Sequence, residues 1–581
     1  MAVFLSPVGG VAAQFFTNNG VILSGGKLYS YAAGTTTPAV TYTTSSGSTP
    51  RTNPIVLDSA GRVPDGGENW LTAGVSYKFV LKDSTDVLIA TYDNVSGIND
   101  PTASDAALTA FEASLAAESG SSLVGYISSG TGATATTVQA KLRETVSVKD
   151  FGATGDGTTD DTAAVQNAIN ASTGKTLFFP SGTYLISQVT CVSNLYIYGS
   201  NATIKAKATY TNGIFYGESK TNINIENITF DGGELSAVST NFLVQFKSCS
   251  NLVIRNCNFI KFAFVALAFN NATNFTADNN TFTKTVASAQ GVNESILISG
   301  ADGVCTFGNI TNNICTNAGI LTQGHYLNFI GNHISAWKYG AGISCQPTNQ
   351  NSLYCKFIGN TCFGNYTGLD SDGFTNQGLE IFGGYHSVVG NTCSNVSGAG
   401  IFLGSSYSTV QGNVCYNNGT YTGTADTFGI ALGAGASGST VTGNTCFETA
   451  FPGGTQNYGI GFDGVITNVN FTGNNLRNNV LGEFKAPASS QSYYGWNQTT
   501  KYTWNPASVA NGASTSVSVT VGEALLGDIA TVSCSIDLQG LTLTAYVSGT
   551  NTVKLVLANL TGGAVDIASS DFRIVVNRPF L

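Results

Sequence analysis

The chain has 581 residues; 10% are charged and 42% hydrophobic, and 24 Lys and Arg against 34 Asp and Glu leave a net charge of −10. A chain with so much to bury and so little repulsion is not a charge-driven disordered polymer, and its acidic, Lys/Arg-poor surface argues against phosphate-backbone (nucleic-acid) binding. No stretch approaches the roughly 18 apolar residues of a membrane span, and Met1 to Phe16, with Pro7, Gly9 and Gly10 and no positive n-region, does not read as a secretory signal.

Residues 1–100 read as short strands between turns. Gly25 to Tyr31 leads to Thr35-Thr36-Thr37-Pro38, followed by Asn53 to Asp58 and the alternating Tyr77 to Asp83, which predicts a small β domain. Residues 101–145 form a neck and linker. In it, Leu108, Phe111 and Leu115 place one amphipathic helix over Ala106 to Glu118, too short to be stable unless it packs against copies of itself. Val146 opens the next region with Val148-Lys149-Asp150-Phe151-Gly152-Ala153-Thr154-Gly155-Asp156-Gly157, then a helix over Thr162 to Asn170 with Asp161 as its N-cap.

From about 220 to 480 the sequence repeats. An apolar–x–Gly–Asn–x–Cys/Ile unit recurs with its Asn at 332, 360, 391, 413, 444 and 474, in steps of 28, 31, 22, 31 and 30 residues; weaker forms lie at Ile225 to Phe230, Ile254 to Phe259 and Phe275 to Phe282. A Gly–Ile/Leu pair precedes each, at Ile320, Ile343, Leu379, Ile401, Ile430 and Ile460. Several short strands per turn of variable length predict a parallel β-helix solenoid over 146–488. Each Asn belongs at a turn, where stacked amides can bond along a ladder. The residue two positions on (Ile334, Cys362, Cys393, Cys415, Cys446, Leu476) points inward, so the cysteines are expected to be small buried hydrophobes, not disulfides or metal ligands. Residues 489–581 alternate cleanly in short strands and predict a C-terminal β-sandwich. The fold class is all-β.

The segment Val148 to Ile169 resembles the opening motif of the pectate-lyase-superfamily β-helices, and the whole chain resembles a bacteriophage tailspike. Gly26-Lys27-Leu28-Tyr29, Gly34 to Pro38, Asn53 to Asp58 and Asp93-Asn94-Val95 are similar to the virion-anchoring domain of such spikes; Gly522 to Asp528 and Asn559 to Gly563 are similar to phage C-terminal β domains. The resemblance implies a right-handed β-helix and a homotrimer whose chains meet at the helical neck. It also implies attachment to the phage virion or an adaptor protein through residues 1–100. Its ligand would be a bacterial surface polysaccharide, O-antigen or capsule, bound and hydrolysed by an endoglycosidase outside the host. Neither cofactor nor metal is expected, nor insertion into a membrane.

Glycoside hydrolysis needs two carboxyl groups. In a solenoid they must point outward, and the outward column after the Gly–Ile/Leu unit reads Leu321, Ser344, Glu380, Phe402, Ala431, Gly461, with Glu380 its one charge. Small and apolar neighbours suit Glu380 to a general acid. Asp372, then Asp370, in the acidic loop before it are the expected partners, with Asp426 the alternative. The same Asp-x-Asp-Gly run is also an ordinary turn, and Phe374 argues against a calcium loop. Candidate sugar contacts are Trp337, Tyr339, Tyr366, Tyr385, Phe402 and Tyr407. His333 is expected to face solvent, and His325 and His386 to be structural turn residues. Few basic residues (Lys338, Lys356) disfavour a uronate lyase, and no Gly-x-Ser-x-Gly elbow marks an esterase. A non-catalytic adhesin and a polysaccharide lyase are the alternatives.

Overall fold

The computed structural model describes residues 2–578 apart from 11, 208–211, 234–241, 286–293, 301–303, 339, 347–351, 366–368, 370–374, 422–426, 486–492, 496 and 523. It forms two units, Met1–Arg143 and Glu144–Leu581. In the first, Ile55–Val56, Lys27–Ala32, Tyr77–Lys82 and Leu88–Val95 pair antiparallel in that order. Alternation puts Tyr77, Phe79 and Leu81 into a core with Leu28, Ile55 and Leu57. The helix spans Pro101–Ala116, starting five residues before the expected Ala106. Proline suits the first helical position, where its missing N–H has no intrahelical partner to lose. Leu108, Phe111 and Leu115 are exposed along it. Among the described residues no helix is long and apolar enough to cross a membrane.

The second unit has near its start a helix whose N-terminus is held differently from the expected cap. Asp161 precedes the helix Thr162–Ala171 but does not cap it. Its buried carboxylate reaches back to accept from the backbone N–H groups of Thr154 (2.7 Å) and Gly155 (3.0 Å), pinning the glycine turn, while Asp160 accepts from Thr162 N–H at 3.1 Å. From there the chain winds into the parallel β-helix. One wall is a 12-stranded parallel sheet, from Val189–Thr190 to Gly482–Lys485; the other strands of the windings form a 25-stranded sheet. Two three-stranded antiparallel sheets follow: Asn497–Trp504, Ser570–Asn577 and Ile529–Cys534; and Ser514–Thr520, Thr552–Ala558 and Thr542–Gly549. One continuous hydrophobic core runs from Val146 to Val576.

The Gly–Asn unit makes the corner of each winding. The glycines at 331, 359, 390, 412, 443 and 473 take φ of 63–66°, a left-handed bend that costs glycine little. The Asn that follows points inside; Asn332, Asn360, Asn391, Asn413 and Asn444 are buried and Asn474 is half-buried. Asn332 donates from Nδ2 to Asn360 Oδ1 (2.9 Å) and from its backbone N–H to the same oxygen (3.0 Å); its Nδ2 also reaches Ile310 O of the previous winding at 2.8 Å. The pattern runs unbroken through Asn280, Asn313, Asn332, Asn360, Asn391, Asn413, Asn444 and Asn474. Beside it Phe230, Phe259, Phe282, Cys315, Ile334, Cys362, Cys393, Cys415 and Cys446 face one another in register. All twelve cysteines are free thiols, and only Cys534 is not buried.

Asn391→Leu removes the acceptor for two buried Asn360 donors, each worth roughly 1–3 kcal/mol when left unpaired; the unfolding temperature should fall clearly while adding a reductant leaves it unchanged. A thiol reagent should label Cys534 alone in the folded chain and all twelve cysteines after denaturation.

Candidate active site

The outer face of the 12-stranded sheet carries the candidate chemistry. Its central row reads Leu297, Leu321, Ser344, Glu380, Phe402, Ala431, Gly461, Lys485, each residue in register with the next. The expected column is reproduced residue for residue and extends to Lys485. Glu380 is half-buried in the strand Gln377–Gly384. Ser344, one rung before it, is buried and donates from Oγ to Glu380 Oε2 at 2.6 Å, orienting that carboxylate.

A second row reaches this face because of the glycine in each Gly–Ile/Leu unit. A Cβ added at Gly342 would lie 2.7 Å from Gly378 O, at Gly378 2.4 Å from Gly400 O, and at Gly400 2.8 Å from Gly429 O. Only a residue without a side chain allows the rungs to close here. The residues just before these glycines then share the outer face: Ala399 and Phe428 cluster with Ala431, Phe402 and Tyr458. Between them opens a cavity of about 370 Å³ lined by Gln377, Phe402, Phe428, Ala431, Asp463 and Lys485, among others. Gln377 is held by the Ala399 N–H, which donates to its Oε1 at 2.5 Å; Lys485 Nζ sits 5.9 Å from the Phe428 ring centroid. Aromatic walls (Phe402, Phe428 and Phe462) interleaved with polar groups (Thr375, Gln377, Thr427, Asp463 and Lys485) suit a ligand that is oriented by hydrogen bonds and held by contact area.

The other expected sugar contacts divide. Phe402 lines the cavity. Trp337 is 1% exposed and fills the interior, so it cannot serve as a sugar platform. Tyr385 and Tyr407 are exposed, but they belong to a stack Phe307, Tyr326, Tyr354, Tyr385, Tyr407 with centroids 5.1–5.4 Å apart. Tyr385 has a ring on each face, between Tyr354 and Tyr407, whereas Tyr407 ends the stack with a ring on one face. Each of the five stands at a left-handed turn, φ 50–60°, a conformation that costs a bulky residue energy. Asp370, Asp372, Asp426, Tyr339 and Tyr366 lie outside the described residues. Among the described residues no group of three His, Cys, Asp or Glu could hold a metal.

His333 and His386 follow their expected roles, whereas His325 lies in the two-residue strand Gly324–His325. His333 is exposed. His386 is buried: Nδ1 accepts from Cys355 N–H at 3.0 Å and Nε2 lies 2.9 Å from Phe382 O. His325 accepts from Leu353 N–H, and burial lowers its pKa. Glu448 is buried and its carboxylate accepts from the N–H groups of Ala450, Thr455 and Gln456, a loop-bracing role. Sequence reading missed Gln377, Phe428, Tyr458 and Lys485; the signal was available for the first three, since each immediately precedes the repeating glycine.

Residues 145–370 match the family described as "Rhamnogalacturonase A/epimerase, pectate lyase-like". A mannuronan C5-epimerase of Azotobacter vinelandii is 38% identical over 105 residues, 15% of this chain and 6% of the epimerase. The plasmin and fibronectin-binding protein A of Streptococcus pneumoniae is 40% identical over 73 residues, 12% of this chain and 10% of that protein. The chain thus spans a tenth or less of the length of these curated relatives. Among solved structures, a tailspike mutant of Escherichia coli bacteriophage HK620, in complex with a pentasaccharide, superposes with a TM-score of 0.53 at 15% identity, covering 81% of this chain and all of that one. The chain carries a pectate-lyase-like parallel β-helix. Its fold is one that phage tailspikes share.

Gly378→Ala should lower the unfolding temperature, because its Cβ would meet backbone and Cys393 with nothing able to yield; Gly359→Ala, with open space around it, should cost only the left-handed strain.

Proposed function

We propose that this protein is a phage tailspike that binds bacterial surface polysaccharide, O-antigen or capsule, and hydrolyses it as an endoglycosidase. The observation that carries the reading is the oriented Glu380 carboxylate on the outer face of a tailspike-like β-helix, one rung from a cavity lined by Phe402 and Phe428 together with Gln377, Asp463 and Lys485. A polysaccharide lying along the sheet would place a sugar in that cavity and a glycosidic bond near Glu380. The acids expected as its partners, Asp372, Asp370 or Asp426, supply the second carboxyl group in this reading.

The chain works as a homotrimer. The exposed Leu108, Phe111 and Leu115 are the apolar stripe that three necks would bury together. Residues 1–100 attach to the virion or to an adaptor protein, and the site acts at the surface of the host. A second reading, uronate epimerisation or elimination, is favoured by the local identity to the mannuronan C5-epimerase.

Purified protein incubated with O-antigen and capsule preparations should release reducing-end oligosaccharides. Glu380→Gln should lower that release by about 10²-fold or more, the scale of acid–base catalysis, with polysaccharide binding and oligomeric state retained. Absorbance from an unsaturated uronate instead of new reducing ends alone would establish a lyase, and binding without either product an adhesin.

A further inference from the structure

Glu294 begins the strand Glu294–Ser299, three rungs before that of Glu380 in the same 12-stranded sheet. Its column neighbours are Val265 on one side and Gly319 on the other. Gly319 has no side chain, so the carboxyl overlooks a gap that runs toward the central row. That gap is a cavity of about 30 Å³ lined by Glu294, Gly319, Leu321, Gly340, Ser344 and Gln346. Ser344 is the residue whose hydroxyl holds Glu380. Glu294 Oε2 is buried and has no hydrogen-bond partner among the described residues. A buried carboxyl oxygen left unpaired costs free energy and calls for an explanation, of which a catalytic role is one.

We propose that Glu294 is a catalytic carboxyl of this site, acting as the general acid opposite Glu380. This assignment rests on the hydrolytic reading above and changes its pair of acids: Glu294 takes the place of the expected aspartates, and Glu380 acts as the base where the sequence suited it to the acid. Glu380, oriented by Ser344, takes a proton from water, and the water oxygen bonds to the anomeric carbon. The glycosidic C–O bond breaks with its electron pair going to the leaving oxygen, which receives the proton of Glu294. One water is consumed, one hydroxyl and one reducing end appear, and solvent returns Glu294 and Glu380 to their starting forms.

Two further features agree with the role. Burial raises the Glu294 pKa to about 8, so the carboxyl keeps its proton at neutral pH. Lys284 is the charged group facing it among the described residues; it donates from Nζ to Ala263 O at 2.6 Å, and burial lowers it to about 8. The Lys284 charge holds Glu294 below where burial alone would put it.

The test compares full-length wild type, Glu294→Gln, Glu294→Asp, Lys284→Met and Glu380→Gln on a panel of purified O-antigen and capsular polysaccharides, reading reducing ends against pH. On any preparation that wild type cleaves, Glu294→Gln should lose about 10²–10⁴-fold in kcat with KM unchanged. The wild-type rate should fall as pH rises through about 8, where Glu294 loses its proton. That alkaline limb should be absent from the residual rate of Glu294→Gln and present in Glu294→Asp. Lys284→Met should move the limb to higher pH; a limb that vanishes there belongs to the lysine and overturns the assignment. Full turnover by Glu294→Gln while Glu380→Gln is inactive overturns Glu294 alone and leaves the hydrolase reading intact. Equal losses of turnover and unfolding temperature in both Glu294 variants assign it a structural role. Cleavage of no preparation by wild type removes the hydrolase reading and Glu294 with it.

Discussion

The buried asparagine ladder is the interaction on which the solenoid depends. Each Asn in it satisfies donors of the winding before and is satisfied by the winding after, from Asn280 to Asn474. Polar groups taken out of water are costly unless paired, and here pairing requires an identical residue in the adjacent winding at about 4.8 Å. The ladder therefore fixes the register of every coil against its neighbours, although successive ladder asparagines lie 19 to 33 residues apart. All of that variation is forced into the loops between the sheets. The column beside the ladder is set by the same register, and it is filled by cysteines, by Ile334 and by flat rings such as the Phe259–Phe282 pair at 4.6 Å.

A fixed register is also what turns a row of outward residues into a site. Ser344, Glu380 and Phe402 come from strands 22–36 residues apart, yet each stands one rung from the next. Apolar patches flank this row on the same sheet: Phe264, Val265 and Ala268 on earlier windings, Ala399, Phe428 and Ala431 on later ones. A long apolar strip with acids near its middle is the form that a linear polymer lying along the solenoid axis would fit. The stacked rings Phe307 to Tyr407 border the same windings, at turn positions where the earlier coils use Asn194, Asn222, Asn251 and Asn274. Replacing asparagine by an aromatic residue there accepts left-handed strain in return for ring–ring contact along the edge of the sheet.

The sheet also shows how one close approach produces a binding surface. The glycine carbonyls are too near the adjacent rungs for any Cβ, so the backbone closes at Gly378, Gly400 and Gly429. Gln377, Ala399 and Phe428, which strict alternation from the inward Leu379, Ile401 and Ile430 would turn inside, instead line or border the cavity. That is why counting by twos placed Glu380 correctly and missed the residues around it.

The repeat by itself determined the β-helix, the inward thiols, the Asn corners and the outward placement of Glu380, because in a solenoid sequence period maps directly onto position in space. It also showed His333 in solvent. Only the tertiary structure decided that Trp337 fills the interior, that Tyr385 is sandwiched between Tyr354 and Tyr407, and that Asp161 braces a turn instead of capping a helix. It alone brought Glu294 to the cavity beside Ser344, fifty residues away in sequence. These outcomes turn on which atoms fill a given volume and which polar groups find partners, and those depend on contacts between windings that no local pattern encodes.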